Sequence, residues 1–224
     1  MRSQAIGKAG GATIALRRQD SRSHSEFTRG IAAGTGDDGS AGNKLPGTLT
    51  PQHPSSMIYK VSGDILLSRA NVIAHGVAPN DDFHSGLALA LREQWPALYK
   101  DFRHFHHQQH PEPGELWTWG TTNGLRIVNL FTQAPAGHAG GHGGKATLEN
   151  VNHALRALHK LAEKEHFTSI ALPRLATGVG GLDWENVEPL IEKHLGALDI
   201  PVILYTTYVA GKAADEPVAE AVAA

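Results

Sequence analysis

Between residues 57 and 208, short apolar segments of strand length alternate with longer segments whose apolar side chains recur at helical spacing. These two periods predict strands and amphipathic helices, respectively. Because strands that alternate with helices form a parallel sheet covered on both faces, the sequence predicts an α/β fold with a mixed, mostly parallel sheet. The predicted strands cover residues 57–61, 71–75, 115–119, 125–131, 167–172 and 201–205. The predicted helices cover residues 86–95, 96–107, 147–162 and 186–195.

Local signals mark several boundaries of these elements. Pro96 suits the first turn of a helix, and Thr147 suits an N-cap. The turn-forming residues 121–124 lie between two predicted strands and indicate a β-hairpin. The helix that follows Thr147 has one apolar face, which consists of Leu148, Val151, Leu155, Leu158 and Ala162.

The two ends of the chain lack this alternation. Residues 1–55 have few large apolar side chains and no sustained period, so we predict a disordered N-terminal tail. The first 19 residues contain four basic and no acidic residues, which leaves a targeting segment as an alternative. Residues 209–224 are rich in alanine and predict a flexible C-terminal tail, so the folded domain is expected to span residues 56–208.

Composition excludes several classes of site. The chain has no cysteine, which excludes disulfides, thiolate zinc sites and a cysteine nucleophile. A formal net charge of −2 does not provide the basic face of a typical nucleic-acid-binding protein. No apolar run approaches the roughly 20 residues that cross a bilayer, so we expect a cytoplasmic protein without a membrane partner.

Three loops rich in small residues leave predicted strands and lead into helices, at residues 75–86, 133–146 and 175–183. Ligands of open α/β sheets bind beyond the carboxyl ends of the strands. In the last loop, Thr177, Gly178, Val179, Gly180 and Gly181 precede a helix for which Asp183 is a candidate N-cap. This arrangement indicates a phosphate cradle made of backbone N–H groups, although a tight turn that needs positive φ explains the glycines equally well.

Familiar nucleotide motifs do not match these loops. Residues 178–183 lack the last glycine of the dinucleotide fingerprint, and Gly63-Asp64 after the first strand does not supply one, which argues against an oxidoreductase. Residues 140–145 resemble a P-loop, but Ala139 replaces its first glycine and Ala146 replaces the residue that holds magnesium. We therefore expect no nucleotide triphosphate hydrolysis.

A histidine-rich run ends the second predicted helix. His104 and His107 share a helical face, but the helix offers no carboxylate or cysteine to complete a metal site. We therefore interpret His104, His106, His107 and His110 as an exposed polar helix end and expect no bound metal. Lys145 is interpreted as a solvated charge in the glycine-rich loop.

Four segments together resemble one known family. They are residues 61–65 (VSGDI), 71–75 (NVIAH), 172–178 (LPRLATG) and 182–187 (LDWENV). The chain resembles the macrodomain family over residues 57–208, and in particular the branch that contains the terminal ADP-ribose protein glycohydrolase and the macrodomain of a chromatin remodeller. The resemblance implies a three-layer α/β/α macrodomain that binds ADP-ribose or an ADP-ribosylated protein. It also implies a monomer without a cofactor, and nucleic acid only as an ADP-ribosylated substrate.

The resemblance assigns parts of the ligand to parts of the chain. It implies that the Asp64 carboxylate accepts a hydrogen bond from the adenine amine and that the Ile65 N–H serves a ring nitrogen. Two loops, at residues 85–86 and 177–180, are expected to wrap the diphosphate with backbone donors, and Phe83 is expected to cover the distal ribose. The complete set of expected ligand-binding residues is Asp64, Ile65, His75, Phe83, Ser85, Gly86, Leu87, Gln133, Thr177, Gly178, Val179 and Gly180.

The catalytic groups of the hydrolytic relative are not found at the matching positions. Its lysine corresponds to Gln133 and its aspartate to Gly180, and neither a glutamine amide nor a glycine can perform those roles. The asparagine-rich motif of other macrodomain hydrolases is also missing after the second strand. Catalysis of ester hydrolysis therefore falls to the remaining polar candidates, Asp82, His84, Gln133 and Thr177. Two hypotheses remain open: a hydrolase of ADP-ribose esters on acidic side chains, and a non-catalytic reader of ADP-ribose.

Overall fold

The computed structural model describes residues 15–16, 57–137 and 143–218, and these residues form a seven-stranded sheet. In chain order its strands are β1 (Ala15–Leu16), β2 (Ile58–Gly63), β3 (Val72–Val77), β4 (Leu116–Gly120), β5 (Arg126–Phe131), β6 (Ile170–Pro173) and β7 (Val202–Tyr208). Across the sheet the order is β1-β4-β5-β3-β6-β7-β2. The last five strands in this order are parallel to one another, while β1 and β4 pair antiparallel. The mixed, mostly parallel sheet predicted from the sequence is confirmed.

Four helices connect these strands: α1 (Gly86–Gln94), α2 (Pro96–Gln109), α3 (Leu148–Lys164) and α4 (Trp184–Leu195). The hydroxyl oxygen of Thr147 accepts a 3.1 Å hydrogen bond from the Asn150 N–H, which is the predicted cap. Asp183 occupies the N-cap position of α4, but its side chain makes no capping hydrogen bond. None of the helices in the described part of the chain is long and apolar enough to span a membrane.

The helices cover both faces of the sheet. On one face, α3 and α4 contribute Val151, Leu155, Leu158, Val187 and Ile191 to a buried cluster with the strands. On the other face, α1 and α2 pack Leu91, Leu98, Phe102 and Phe105 against Trp117 and Phe131. Successive residues of one strand contribute to opposite faces, because side chains alternate along a strand. The result is the predicted three-layer α/β/α arrangement.

Several boundaries differ from those predicted. Helix α4 begins two residues before residue 186, strand β6 begins at Ile170 rather than residue 167, and β7 extends to Tyr208 rather than residue 205. Leu148, predicted on the apolar face of α3, is 39% exposed because it occupies the first helical position, at the edge of the layer.

The C-terminal stretch, for which the sequence predicts a flexible tail, contacts the domain as far as Val218, which packs against a buried cluster of the sheet. The Glu216 carboxylate is buried and accepts hydrogen bonds from Ser68 Oγ at 2.6 Å, from the Arg69 N–H at 2.7 Å and from the Tyr205 hydroxyl at 2.7 Å. Residues 219–224 lie outside the described residues. Apart from β1, the predicted N-terminal tail also lies outside the described residues, so the disorder of residues 1–55 stays a prediction.

Candidate functional site

The carboxyl ends of the parallel strands lie at one edge of the sheet, and two adjoining cavities open there. Cavity A, of about 370 Å³, lies over the ends of β2, β6 and β7. Cavity B, of about 280 Å³, lies between the N-terminus of α1 and the loop that follows β6. Both cavities are lined by Gly86, Leu87 and Pro173, so they adjoin at these residues, and we call the two together the groove.

At one end of the groove, in cavity A, the carboxylate of Asp64 is held in a fixed position. Its Oδ1 accepts a 3.1 Å hydrogen bond from the Leu66 N–H, and its Oδ2 accepts one of 3.1 Å from the Gly211 N–H. A carboxylate has about four lone-pair positions, so these two bonds leave acceptor capacity for a ligand. Asp64 therefore combines the role of a turn residue with a position on the cavity wall, next to Ile65.

The rest of cavity A is largely apolar, with Leu87, Ala90, Pro173 and two tyrosines in its wall. Tyr208 is 71% exposed, which leaves its ring free to contact a flat ligand. Tyr205 is held by Glu216, and burial together with this carboxylate raises the pKa of the Tyr205 hydroxyl. Neither tyrosine was among the expected site residues: Tyr208 lay beyond the predicted strand, which stopped at residue 205, and Tyr205 was treated only as part of a buried strand.

In the middle of the groove, the first turn of α1 faces cavity B. Ser85 is its N-cap residue, and its side chain makes no capping hydrogen bond. Gly86 has φ of 56°, and no described atom lies within 4 Å of the position of a Cβ there. The N–H groups of this first turn have no partner within the helix, and the helix dipole adds positive potential at this end. This part of the groove is suited to an anion.

The loop of residues 174–183 forms the opposite wall of cavity B and is closed by its own hydrogen bonds. The N–H of Leu182 donates to the carbonyl of Ala176, and the Thr177 hydroxyl donates to the carbonyl of Arg174, each at 3.0 Å. Gly178 and Val179 line the cavity, whereas Thr177 does not. The tight-turn and cradle interpretations of this loop are therefore compatible.

Gly180 lines cavity B but has no room for a side chain. A Cβ at this position would lie 2.6 Å from the Ala176 carbonyl oxygen and 2.9 Å from the Ala146 Cβ. These are distances that real Cβ atoms do not adopt, so any larger residue requires movement of the backbone. Glycine at 180 is therefore a requirement of this loop as it is folded here.

The far end of cavity B is lined by polar groups from three elements, among them His75, Asp82 and Gln133. His75 is buried, and its Nε2 lies 2.8 Å from Asn129 Oδ1. Burial lowers the pKa of His75 to about 4, and the bond to Asn129 only partly opposes this effect. His75 is therefore neutral near pH 7, with the proton on Nε2 and an acceptor at Nδ1.

Gln133 is 6% exposed, and its Oε1 is buried without a hydrogen-bond partner among the described residues. A Cβ at position 143 would lie 2.6 Å from this oxygen, so Gly143 makes room for the amide. A buried polar atom without a partner costs about 1–3 kcal/mol unless a ligand or water satisfies it. Gln133 is thus poised to bind a polar ligand group.

Besides Thr177, two further expected site residues lie outside the groove. Phe83 is fully buried in the aromatic cluster on α2, with its ring centroid 4.8 Å from that of Phe102, and it lines neither cavity A nor cavity B. His84 lies beyond the wall of cavity B, in a third cavity of about 480 Å³ that we call cavity C. Cavities B and C share Asp81 and Asp82.

The predicted histidine-rich helix end contributes to cavity C. His104 and His107 are exposed, but His106 is partly buried and its Nδ1 lacks a hydrogen-bond partner within the described part of the chain. Burial and the neighbouring His107 and His110 lower the pKa of His106. Across residues 57–137 and 143–218, no group of three metal-binding side chains is found.

Comparisons with known proteins agree with this architecture. The model of the Macro domain family matches residues 74–191. Human ADP-ribose glycohydrolase OARD1 is 26% identical over 163 residues, which make up 72% of this chain and 99% of the relative. Among solved structures, the macrodomain of Thermus aquaticus DarG has a TM-score of 0.59 at 24% identity and covers 66% of this chain and 97% of its own. Thermosipho africanus DarTG in complex with ADP-ribose has the same TM-score and identity, over 70% of this chain and 42% of that one.

Proposed function

This chain belongs to the Macro domain family, and on that premise we propose that it binds ADP-ribose in the groove formed by cavities A and B. The observation that carries the proposal is the order of chemical environments along this groove. An apolar, aromatic end with a fixed carboxylate is followed by free helical N–H groups and then by buried polar side chains. ADP-ribose presents a base, a diphosphate and a second ribose in the same order.

The adenine is assigned to cavity A. A flat heterocycle there contacts the exposed ring of Tyr208 and the apolar side chains of Leu87 and Pro173. The exocyclic amine is a donor, and Asp64 offers a fixed acceptor, while the Ile65 N–H lies on the same wall. Stacking on one aromatic side chain contributes about 1–3 kcal/mol per base.

The diphosphate is assigned to the middle of the groove. It lies between the first turn of α1 at Gly86 and the loop at Gly178 and Val179. Backbone N–H groups at a helix N-terminus bind phosphate without a metal ion or a basic side chain. The exposed Lys145 places its ammonium group against Gly181, on the outside of the same loop, and adds positive potential there.

The distal ribose is assigned to the far end of cavity B. Its hydroxyl groups donate to the Asp82 carboxylate, the Gln133 Oε1 and the free Nδ1 of His75, and they accept from the Gln133 amide NH2. The unpartnered Gln133 oxygen supports this assignment, because a ribose hydroxyl supplies the donor it lacks. Phe83 supports the site indirectly by packing beneath His75, at 5.9 Å between ring centroids.

We assign the activity as removal of ADP-ribose from acidic side-chain esters. The human relative carries the name ADP-ribose glycohydrolase, and this chain matches nearly its whole length. The alternative is a non-catalytic reader, and two observations favour it: Gln133 is an amide, and Gly180 has no room for an acidic side chain. A cytoplasmic location and a monomeric state stay predictions.

Calorimetry with ADP-ribose and a release assay on a glutamate-ADP-ribosylated peptide test both alternatives. Binding of ADP-ribose with release above the buffer rate supports the hydrolase, and binding without release supports the reader. Adenosine and ribose 5-phosphate are matched probes, because each occupies only part of the groove and is expected to bind more weakly. Absence of ADP-ribose binding at millimolar concentration overturns the proposal.

A further inference from the structure

Residues 209–218, which we call the strap, continue from the end of β7 and pack beside cavity A. The first four residues form a turn, in which the Lys212 N–H donates a 3.2 Å hydrogen bond to the Val209 carbonyl. Gly211, at the third position of this turn, has φ of 66°, which a type II turn requires and glycine adopts without strain. The Val209 N–H donates a 3.1 Å hydrogen bond to the Gly63 carbonyl, so the turn lies beside the end of β2.

This turn holds Asp64 at two points. The Asp64 N–H donates a 2.7 Å hydrogen bond to the Lys212 carbonyl, and Asp64 Oδ2 accepts one of 3.1 Å from the Gly211 N–H. The other carboxylate oxygen accepts from the Leu66 N–H, in the single helical turn of residues 65–67 that follows Asp64. Each oxygen of this carboxylate therefore has one backbone donor, and the second donor comes from a residue 147 positions further along the chain.

Close packing leaves the strap little freedom to move away from Asp64. A Cβ at position 63 would lie 2.8 Å from the Lys212 carbonyl oxygen and 3.0 Å from the Ala214 Cβ, so a larger residue there would push the strap outwards. Further along, Val218 packs against a buried cluster of the sheet. The strap is thus fixed to the domain on both sides of its contacts with cavity A.

The strap also fixes a second part of the wall of cavity A. The buried Glu216 carboxylate accepts a 2.7 Å hydrogen bond from the hydroxyl of Tyr205, which lines this cavity. The Arg69 guanidinium donates a 3.2 Å hydrogen bond to the Glu216 carbonyl and holds the strap from the other side. None of residues 209–218 lines cavity A, so the strap acts on this cavity through Asp64 and Tyr205.

A carboxylate that is held in this way can distinguish between purine bases. An ionised carboxylate only accepts hydrogen bonds, and two backbone donors oppose its rotation towards a different geometry. The exocyclic amine of adenine donates to such an acceptor. Hypoxanthine has a carbonyl oxygen at the same position, and two acceptors that face each other both stay unsatisfied, which costs affinity. A carboxylate that is free to rotate avoids part of this cost and discriminates less.

We propose that the strap is the positioning element of the adenine site and, by fixing Asp64, sets both the affinity for ADP-ribose and the preference for adenine over hypoxanthine. This inference rests on the proposed function. Gly211 is the positioning residue, because its N–H reaches the carboxylate and its positive φ allows the turn. Coupling between two sites is reciprocal, so a ligand that binds Asp64 also holds the strap in place.

Calorimetry on the full chain that carries Gly211→Pro tests the proposal. Proline lacks the N–H that binds Asp64 and cannot adopt a φ near the value at this position. We expect the Kd of ADP-ribose to rise about 10-fold, and the preference for ADP-ribose over inosine diphosphate ribose to shrink. The affinity for ribose 5-phosphate, which lacks a base, is expected to stay unchanged, because the rest of the groove does not depend on Gly211.

Ala210→Pro is the matched control. Ala210 is exposed at the second position of the same turn, where proline is favoured, and its N–H donates no hydrogen bond to any described residue. This variant is expected to keep the wild-type Kd and selectivity. A double-mutant cycle adds Gly211→Pro to Asp64→Ala, where it is expected to cause no further loss of affinity, since no carboxylate remains to be positioned.

Amide hydrogen exchange tests the same coupling on the wild-type protein, without any variant. Binding of ADP-ribose is expected to slow exchange of the Gly211 N–H and of its neighbours in the strap. Ribose 5-phosphate is expected to leave these rates unchanged, because it does not reach Asp64. This measurement decides the proposal even if Gly211→Pro fails to fold.

Four results would each overturn the proposal. They are wild-type ADP-ribose affinity in Gly211→Pro, equal losses of ADP-ribose and ribose 5-phosphate binding, an undiminished effect of Gly211→Pro in the Asp64→Ala background, and strap exchange rates that ADP-ribose does not change. All four leave the proposed function in place, since the wild-type protein still binds ADP-ribose. Wild-type protein that does not bind ADP-ribose at millimolar concentration overturns the proposed function as well.

Discussion

The Ala146 N–H donates a 3.0 Å hydrogen bond to the carbonyl oxygen of Gly180, and the Ala146 Cβ would lie 2.9 Å from a Cβ at position 180. The loop that leads into α3 is thus joined to the loop that leads into α4. Position 180 is where the related hydrolase carries its aspartate, as the resemblance of the sequences implies. In this chain the two loops meet over that position and exclude a side chain.

The first prediction concerns this contact. Gly180→Asp is expected to destabilise the fold by about 1–3 kcal/mol and to weaken ADP-ribose binding, because the backbone must move to admit the side chain. It is not expected to create the missing catalytic acid. Thermal unfolding and calorimetry check this result. Gly178→Ala is the control for stability, since no described atom lies within 4 Å of a Cβ there. A stable Gly180→Asp variant with faster hydrolysis contradicts the prediction.

The second prediction concerns the exposed tyrosine of cavity A. Tyr208→Ala is expected to weaken ADP-ribose binding about 5- to 10-fold, because the base loses its aromatic contact. Binding of ribose 5-phosphate, which lacks the base, is expected to stay unchanged, and calorimetry measures both. Tyr59→Ala is the matched control, since Tyr59 is also exposed but lies on β2 outside the groove. Equal losses for both ligands would argue against adenine in cavity A.

The third prediction concerns pH and His75. The pKa of this imidazole is lowered from 6.5 to about 4 in the folded protein, while the unfolded chain keeps the ordinary value. Between these pH values the unfolded state binds a proton that the folded state does not. The free energy of unfolding is therefore expected to fall by about 3 kcal/mol as the pH drops from 6.5 to 4.

Urea unfolding of the wild type and of His75→Gln at several pH values isolates this contribution. The variant has no titrating group at this position, so the difference between the two free energies of unfolding should shrink as the pH falls. A difference that stays constant from pH 7 to 4.5 would mean that His75 is protonated equally in both states.

The fourth prediction concerns the C-terminal stretch. Glu216→Ala leaves the Ser68 hydroxyl, the Arg69 N–H and the Tyr205 hydroxyl without their acceptor, and is expected to cost about 3 kcal/mol. Gly211, in the same C-terminal stretch, donates its N–H to the Asp64 carboxylate. Because loosening this stretch also loosens Asp64, ADP-ribose affinity should fall in the Glu216→Ala variant. Chemical unfolding and calorimetry measure these effects. Asp215→Ala, at the exposed neighbouring position, is the control, and an equal effect of both variants would contradict a specific role for Glu216.

The alternation of strands and helices was predictable because it depends on the period of apolar residues within each segment. The hairpin at residues 121–124 and the cap at Thr147 were also predictable, because each depends only on residues within four positions along the chain. The exposure of Leu148 and the extra length of β7 were not predictable, because tertiary packing determines where helices and strands begin and end.

The features of the candidate site also fall into two groups, those that the sequence determines and those that depend on tertiary packing. The sequence by itself determined which loops hold small residues, and hence where a diphosphate can approach backbone N–H groups, because that depends on side-chain size at each position. Only the tertiary structure decided that Phe83 packs in the core, that Asp82 faces His84, that Tyr208 borders cavity A and that Ala146 closes over Gly180. The physical reason is that side-chain directions and contacts between loops depend on how distant segments pack, and no local period records that packing.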